Sequence, residues 1–532
     1  MSIVRIFGKD TAPCPAETVG AKAANLARMA ALGLPVPPAF VLPVELCADI
    51  IAHRADAEQR LRDGLRGGIR FLEQATGKVF GDHRRPLLVS VRSGAARSTP
   101  GMLDTVLNVG CTSGAVRGLI RSTGRPRLAF DCRRRFIESF SETVLGFDAA
   151  ALAAQRDALA ASEGVANDRE LDSEAIARLA ADEQALVEVG HDDWLEDAEA
   201  QLTAAACAVY QSWSSERAQT YRRLQNLEHL RGTAVTVQAM VFGNGGLASG
   251  AGVAFSRDPS TGAPHPMIDL VLDAQGEDVV SGRRTPDSAE TIARALPGLA
   301  HELGAVLRQL ETEFADVQDI EFTVEERRLW ILQTRAAKRT PRAALRIAVD
   351  LVREGLISPQ QALERLADID LDRLVETSLV GAGAPAVTGI AASGGIAAGR
   401  AAFDSDSAKR LAASGEPVIL MRPDTSTADV AGFAVASGIV TSVGARTAHA
   451  ALVARQLGKP CVVGCDGLAI ASGSAMLGAT PIGSGDWVTI DGDGGHVYPG
   501  RLEIVTARPD AELAEVRAWR SGKIRPATRL TA

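Results

Sequence analysis

A basic, glycine-containing loop is the first stretch whose residue types suit chemistry. Residues 89–105 read "VSVRSGAARSTPGMLDT", and the loop follows a predicted strand at 86–94. Arginine side chains and glycine backbone N–H groups are the donors that hold phosphate groups in proteins. Taken alone, the stretch fits a phosphate-binding loop or an exposed loop with solvated arginines.

A second stretch, 318–335, predicts a hairpin that carries two carboxylates. "QDIEFTV" and "RLWILQTR" alternate apolar and polar residues on both sides of "EER". Asp319 and Glu321 therefore share one face, as do Gln333 and Arg335 on the returning strand. Adjacent carboxylates could bind Mg²⁺ that bridges to nucleotide phosphates. An edge hairpin with its polar face in water fits the spacing as well.

Two further stretches complete the candidates. Glu277 and Asp278 lie in a glycine-flanked loop, "DAQGEDVVSGRRTP", which fits a metal-site contribution or a plain turn. His449 lies in "TAHAALVARQLGKPCVVG" and falls in the first turn of a predicted helix that ends near Gly458. Unpaired N–H groups and the helix dipole favour a phosphate there, and they favour the neutral, nucleophilic imidazole. A capping or core histidine is the alternative.

The elements that must position these residues read as an α/β and α+β multidomain chain. Helix, turn and strand are predicted over 18–42, and a helical subdomain over about 112–230. Two β runs at 233–258 are predicted to pair as a hairpin around "GNGGLASG". Two amphipathic helices follow at 338–366. The linker "VGAGAPAVTG" precedes a compact β-rich domain at about 386–500, and the tail at 501–532 holds one polar helix.

Composition excludes several classes of protein. The 532 residues carry a formal net charge of −8 and are 46% hydrophobic, so a nucleic-acid-binding surface is not expected. Seven cysteines without a CxxC motif predict neither a disulfide framework nor a zinc site. No apolar run reaches a bilayer span and "MSIVRIFGKD" lacks a signal-peptide core, so we expect a cytoplasmic protein with no membrane partner.

Taken together, these blocks closely resemble the pyruvate, phosphate dikinase family. "VRSGAARSTPGMLDTVLNVG", "QGEDVVSGRRTP" and "QDIEFTVEERRLWILQTRAAKRT" are similar to its nucleotide-site blocks, in the same order. "TVQAMVFGNGG" and "SGAGVAFSRDPSTG" are similar to a further block. "TAHAALVARQLGKPCVVGC" is similar to the phosphohistidine signature that the family shares with phosphoenolpyruvate synthase and with enzyme I of the sugar phosphotransferase system.

The resemblance implies an ATP-grasp-like nucleotide-binding domain at 1–338, a helical linker at 339–385 and a swivelling phosphohistidine domain at 386–500. It implies that His449 attacks ATP and AMP leaves. The γ-phosphate then passes to inorganic phosphate, which gives pyrophosphate and leaves the β-phosphate on His449. Asp319 and Glu321 would hold Mg²⁺. The implied nucleotide-binding residues are Lys22, Arg92, Gly101, Asp104, Gln238, Glu277, Asp278, Gln333 and Arg335, of which Arg92 and Arg335 are also catalytic.

The chain departs from the family pattern at several positions. The double glycine before Lys22 reads "GA", and the arginine after "VRSGA" is displaced to Arg97. "GARTAHA" replaces a pattern closer to "GGMTSHA", with Arg446 as in the synthase. Thr447 lies where some dikinases are regulated by phosphorylation.

The family's pyruvate- or phosphoenolpyruvate-binding barrel is not evident in these 532 residues. We therefore expect a phosphotransferase whose phosphohistidine serves pyruvate on a separate chain, with a homo-oligomer as a further expectation. The alternatives are a phosphohistidine carrier or regulatory module, a synthase-like enzyme that uses water as acceptor, and a dikinase for another small molecule.

Overall fold

The computed structural model describes residues 3–97, 104–165, 167–187, 194–224, 226–280, 285–424, 429–446, 448–471 and 473–522. The chain forms two compact units. One comprises Met1–Gly245 with Trp330–Thr334, and the other comprises Gly246–Leu329 with Arg335–Ala532. Both mix helices with sheets, so the prediction of an α/β multidomain chain is confirmed. The domain limits inferred from the sequence stay predictions.

The first unit is built on a five-stranded sheet of order β1-β2-β7-β5-β6, with a short parallel pair, β3-β4. Its strands are β1 (Val4–Ile6), β2 (Ala39–Leu42), β3 (Val79–Phe80), β4 (Pro86–Leu87), β5 (Val89–Ala95), β6 (Thr105–Val109) and β7 (Thr233–Ala239). Its helices are α1 (Ala16–Ala31), α2 (Glu45–Ile51), α3 (Ala57–Thr76), α4 (Ser113–Thr123), α5 (Pro126–Phe140), α6 (Ala149–Ser162), α7 (Ser173–Val187), α8 (Ala198–Gln211) and α9 (Glu216–Leu224). Helices α4–α9 confirm the predicted helical stretch.

One face of this sheet is apolar and the other carries polar residues. Val89, Val91, Val235 and Val237 join the apolar core with residues of α3 and α8. Because side chains alternate along a strand, the intervening residues of β5 and β7 lie on the opposite face. That second face carries polar residues, and α1 packs across it.

The second unit begins with a sheet of order β11-β10-β8-β9. Its strands are β8 (Gly250–Phe255), β9 (Met267–Leu272), β10 (Gln318–Glu325) and β11 (Arg328–Ala336), of which Trp330–Thr334 are counted with the first unit. The helices around it are α10 (Gly276–Val280), α11 (Ala289–Ala295) and α12 (Leu299–Phe314). The predicted 318–335 hairpin is confirmed as β10 and β11. The predicted 233–258 hairpin is wrong, because β7 and β8 belong to different sheets and the glycine-rich segment connects them.

A small helical cluster follows, which confirms the two helices predicted over 338–366. It packs α13 (Pro341–Arg353) and α14 (Pro359–Arg365) against α18 (Asp510–Arg520) from the tail, and Leu345, Leu351, Leu513 and Val516 are buried between them. A two-stranded ribbon, β12 (Glu376–Leu379) with β23 (Ile504–Ala507), lies beside the points where the chain enters and leaves the next body.

That body is a closed barrel of order β13-β17-β16-β15-β14-β21-β22. Its strands are β13 (Val387–Ser393), β14 (Ile396–Ala402), β15 (Val418–Arg422), β16 (Gly438–Thr441), β17 (Cys461–Asp466), β21 (Trp487–Asp491) and β22 (His496–Pro499). A small sheet of β18 (Leu468–Ala471), β19 (Ser474–Leu477) and β20 (Thr480–Gly483) projects from it.

Parallel pairing explains the helices of the barrel. Strands β14, β15, β16 and β17 are parallel neighbours, and such strands need crossover connections. Helices α15 (Ser405–Ala413), α16 (Val430–Val435) and α17 (His449–Leu457) supply them. The segment that leaves the end of β16 therefore leads directly into the amino terminus of α17, where His449 lies.

None of the helices in the described ranges combines the length and the apolar composition that a bilayer span requires.

Candidate functional site

A close approach of two glycines positions Lys22 in the first unit. Gly20 interrupts α1 with a φ of +80°, a region that favours glycine. A Cβ atom at this position would lie 2.1 Å from the carbonyl oxygen of Gly94 on β5. Any larger residue would separate α1, and Lys22 with it, from the strand that carries Arg92. The second family glycine is Ala21 here, and the left-handed position is the glycine that the chain keeps.

Arg92 and Gln238 share the polar face of the first sheet. Arg92 is opposite Thr236 and Ser90 is opposite Gln238 in the β5–β7 ladder, so all four side chains point to the same side. Gln238 is buried and donates from Nε2 to the Pro37 carbonyl at 3.2 Å. The predicted nucleotide-binding side chains therefore line the face on which α1 packs.

Gln333 belongs to the same unit. Its segment of β11 is held by Asn25, whose Nδ2 donates to the Thr334 carbonyl at 2.9 Å, and by the N–H of Ile331, which donates to the Pro35 carbonyl at 2.8 Å. Gln333 is buried. Lys22, Arg92, Gln238 and Gln333 are thus all carried by the first unit.

Asp104 has a partner of its own. Arg217 donates to its carboxylate at 3.1 Å. Burial raises the pKa of Asp104, and the charge of Arg217 opposes that rise. Gly101, the other residue predicted in this stretch, lies outside the described residues, and Arg97 is exposed.

In the second unit, one face of the β8–β10 sheet carries the predicted metal ligands. Asp319 is opposite Phe255, and Glu321 is opposite Val253, which is in turn opposite Asp269 on β9. Directly paired residues point to the same side of a sheet, so these five side chains share a face. Two carboxylates from β10 and one from β9 are therefore gathered on it.

Asp319 is in an environment that fits a cation. It is only 3% exposed, Arg335 donates from Nε to Oδ2 at 2.8 Å, and Oδ1 has no hydrogen-bond partner within the described structure. Burial raises the pKa of Asp319, Arg335 opposes the rise, and the charge of Glu321 adds to it. A buried acceptor oxygen without a donor, two residues from a second carboxylate, suits an oxygen-seeking cation such as Mg²⁺.

Arg335 completes this group. Burial works to lower its pKa, but the charges of Asp319 and Glu321 outweigh burial and raise it. Within the described residues, no group of three or more His, Cys, Asp and Glu side chains could hold a metal by itself. The carboxylate pair would need oxygens from water or phosphate to complete a coordination shell.

Asp278 has a local structural role. Its Oδ2 accepts the backbone N–H of Gln275 at 3.0 Å, which closes the turn at the start of α10. Glu277, in the first turn of this helix, is half-buried. Both residues lie in the second unit, and Asp278 is a carboxylate that closes a turn.

The predicted helix of His449 is α17. It begins at His449 after an N-cap at Ala448 without a side-chain hydrogen bond, and it ends at Leu457 with Gly458 as the C-cap, which has a φ of +63°. Ala448 has no side-chain acceptor to offer the first-turn N–H groups, and the N–H groups at a helix start are where anions bind. The side chain of His449, and Thr447 as a whole, lie outside the described residues.

Two arginines, Arg446 before the helix start and Arg455 in the last turn of α17, connect this segment to the β8–β10 face. The guanidinium of Arg446 pairs with the carboxylate of Asp269, and its backbone N–H donates to Asp269 Oδ2 at 3.1 Å. Arg455 lies over the ring of Phe255, 5.8 Å from its centroid. The segment that carries His449 thus packs on the sheet face that bears Asp319 and Glu321.

The sequence did not identify Asp269 or Arg455 as candidates. Asp269 lies in a strand-like stretch without a motif. Arg455 lies four residues after Ala451 in the helix, so it shares the apolar face of α17. A charged residue on an apolar helix face is the signal that could have found it.

Two family models match the chain. "Pyruvate phosphate dikinase, AMP/ATP-binding domain" matches residues 57–302 and 297–355, and "PEP-utilising enzyme, mobile domain" matches residues 414–495. The first match includes Arg92, Asp319 and Arg335, and the second includes His449.

Curated relatives are similar over nearly the whole chain. Pyruvate, phosphate dikinase 2 of Oryza sativa is 40% identical over 510 residues, which cover 94% of this chain and 57% of the relative. Pyruvate, phosphate dikinase of Clostridium symbiosum is 39% identical, with coverage of 94% and 58%. The enzyme of that name from Rhizobium meliloti is 39% identical, with coverage of 99% and 61%. The chain therefore spans about three-fifths of the length of these relatives.

Proposed function

Because the chain belongs to the pyruvate, phosphate dikinase family, we propose that it is an ATP-dependent phosphotransferase that forms a phosphohistidine at His449. A nitrogen of the imidazole attacks the β-phosphorus of ATP, the bond to the α-phosphate oxygen breaks, and AMP leaves. The γ-phosphoryl group then passes to inorganic phosphate. Pyrophosphate is released, and the β-phosphoryl group stays on His449.

One observation carries this proposal. The start of α17 packs on the sheet face that bears Asp319 and Glu321, through Arg446 to Asp269 and through Arg455 to Phe255. A nucleophile needs to be close to the phosphates it attacks, and phosphates need cations around them. The residues that would bind the metal lie on the same face of the β8–β10 sheet on which the helix that would present the nucleophile packs.

The carboxylates fit a Mg²⁺ ion, which would neutralise charge on the nucleotide phosphates when bound. Asp319 would contribute Oδ1, which has no hydrogen-bond partner among the described residues, and Glu321 would contribute an oxygen from the same face. Arg335 would orient Asp319 through its 2.8 Å hydrogen bond and would add positive charge close to the phosphates.

Lys22, Arg92, Gln238 and Gln333 would bind the nucleotide from the first unit, in an ATP-grasp-like domain. Arg92 and Lys22 would supply the further cations that a triphosphate needs. In this proposal the barrel is the swivelling part that carries the phosphoryl group away. Pyruvate then accepts it and forms phosphoenolpyruvate.

The test is incubation of the purified chain with Mg²⁺ and ATP labelled on the β or the γ phosphate, with and without inorganic phosphate. We expect acid-labile β label on the protein, and γ label in pyrophosphate only when phosphate is added. His449→Ala should carry no label. His301→Ala, which removes an exposed histidine of the same unit, should label as the wild type does.

The outcomes separate the alternatives. Wild-type protein without label, or His449→Ala with full label, would refute the phosphohistidine. γ label released as free phosphate without added phosphate would favour water as the acceptor. Stable label that pyruvate together with a pyruvate-binding partner chain fails to discharge would favour a carrier or another small-molecule acceptor.

A further inference from the structure

Arg455 is a buried arginine whose ionic environment differs from that of the other buried arginines. It lies on α17, six residues after His449, and is 1% exposed. Buried arginines normally pair with carboxylates, as Arg134 does with Asp131 at 2.8 Å and Arg257 with Glu311 at 2.7 Å. In the part of the chain that the structure describes, no carboxylate is within 4 Å of Arg455.

Backbone carbonyls hold the guanidinium instead. Nη1 donates to the carbonyl of Ala392 on β13 at 2.7 Å, and Nη2 donates to the carbonyl of Arg446 at 2.5 Å. Nε is buried and has no hydrogen-bond partner among the described residues. Arg455 therefore ties the last turn of α17 to the residue that stands three positions before His449.

The backbone of Arg446 is held on both sides, at its N–H group as well as at its carbonyl. The backbone N–H of Arg446 donates to Asp269, while its carbonyl accepts from Arg455. The short connection from Arg446 to His449 is thus anchored at its start. Both carbonyls that accept from Arg455 belong to the barrel, so the contacts of Arg455 would move with His449 when the barrel moves.

The charge of Arg455 is poorly compensated. Burial lowers the pKa of its guanidinium to about 10, so it stays protonated at neutral pH, and the charge of Asp319 limits the decrease. A desolvated cation is unfavourable unless an anion is close. The contact with the Arg446 carbonyl puts this cation at the amino-terminal end of α17, where the helix dipole also favours negative charge.

We infer that Arg455 is a positioning residue for phosphoryl transfer at His449: it anchors the connection that leads to His449 and supplies a buried positive charge for the phosphoryl group there. The inference rests on the proposed function, and it concerns a residue that touches neither nucleotide nor metal in that proposal. The negative charge of the phosphoryl group would compensate the buried cation through space, without direct contact.

The experiment is single-turnover transfer of β label to the protein in Arg455→Met and Arg455→Lys. Arg455→Met removes the charge and both hydrogen bonds, and we expect labelling to slow at least 100-fold while the affinity for ATP changes less than twofold. Arg455→Lys retains a charge and should lose at most tenfold at pH 7. Ala454→Gly is the matched control, because it weakens the same helix and leaves both carbonyl contacts intact.

The pH profile supplies a readout that a purely structural role would not change. Burial lowers the pKa of a lysine, so labelling by Arg455→Lys should fall between pH 7 and 9 while the wild-type rate holds. If the labelling rates of wild type and Arg455→Lys depend on pH in the same way, the inference is overturned, even if Arg455→Met fails to fold. A loss in Ala454→Gly as large as in Arg455→Met would also overturn it.

The same experiment separates the two proposals. Wild-type protein that carries no His449-dependent label refutes the proposed function, and this inference with it. Wild-type protein that labels on His449, with Arg455→Met labelling within threefold of it, refutes this inference alone.

Discussion

The pair of Asp319 and Arg335 yields a prediction whose size depends on pH. Arg335→Gln removes the guanidinium that donates to Asp319 Oδ2 at 2.8 Å. Asp319 is 3% exposed, and its other carboxylate oxygen has no hydrogen-bond partner in the described structure. The variant therefore leaves a buried carboxylate without its direct ionic partner.

The magnitude follows from the two ways in which the protein can respond. Removing one partner of a buried ion pair costs about 3–5 kcal/mol when the other stays charged. Asp319 can instead bind a proton, and its pKa is already raised by burial, against the effect of Arg335. Without Arg335 the pKa rises further, and each unit by which the pH exceeds that pKa costs about 1.4 kcal/mol.

The sign of the pH dependence is fixed by proton binding. A carboxyl with a raised pKa holds its proton in the native state at pH values where the unfolded chain has released it. The native state then binds more protons, so stability decreases as the pH rises through this window. We expect Arg335→Gln to lose about 3 kcal/mol at pH 8 and about 1 kcal/mol or less at pH 5.

The assay is thermal unfolding of wild type and variant at pH 5, 6, 7 and 8 without nucleotide or Mg²⁺. Because multidomain chains do not unfold in a single two-state step, hydrogen exchange of β10 and β11 should accompany it. Asp319→Asn in the Arg335→Gln background should recover most of the loss at pH 8. Arg339→Gln is the control, because it breaks a pair whose carboxylate, Asp316, is more exposed than Asp319.

Two results would refute this reasoning. One is a loss of stability in Arg335→Gln that is equal at pH 5 and pH 8, because an uncharged Asp319 should be tolerated. The other is a failure of Asp319→Asn to recover stability at pH 8, because the cost is attributed to the charge of that carboxylate.

Two other predictions rest on different parts of the first unit. Gly20→Ala should weaken ATP binding at least tenfold, because its Cβ would meet the Gly94 carbonyl and move Lys22, whereas Ala21→Gly should change binding less than twofold. Titration with ATP measures both, and equal affinities would contradict the steric argument. Burial, together with the charge of Glu138, raises the pKa of Glu183 to about 9. Wild-type stability should therefore fall between pH 6 and 9 by up to about 1.4 kcal/mol per unit, and Glu183→Gln should remove this slope in thermal unfolding. An unchanged slope in the variant would contradict the prediction.

Local patterns predicted the elements that depend on neighbouring residues. The hairpin over 318–335 formed as expected, because a short turn and alternating side chains specify it within 18 residues. The start of α17 at His449 was predicted closely, because its C-terminal glycine and its apolar spacing are local signals. The motifs also indicated which residue types could bind phosphate and metal: arginines, carboxylates and a histidine.

Long-range pairing could not be read in the same way. The two β runs around "GNGGLASG" look like a hairpin, but β7 pairs with β2 and β5 while β8 pairs with β9 and β10. Which strands pair depends on the surfaces that distant residues offer, and the alternation of side chains is the same in either arrangement. The closure of the strands between 387 and 499 into a barrel has the same origin.

The order of residue types alone indicates which side chains can do chemistry here: an arginine-containing loop, two carboxylates two residues apart, and a histidine at a helix start. The tertiary structure decided how those residues behave. It buried Asp319 beside Arg335, it placed Gly20 in contact with Gly94, and it buried Arg455 with no carboxylate within 4 Å among the residues that the structure describes. Burial and charge pairing depend on contacts between residues far apart in the chain, and these contacts set the pKa values and the uncompensated charge that the proposed phosphoryl transfer would use.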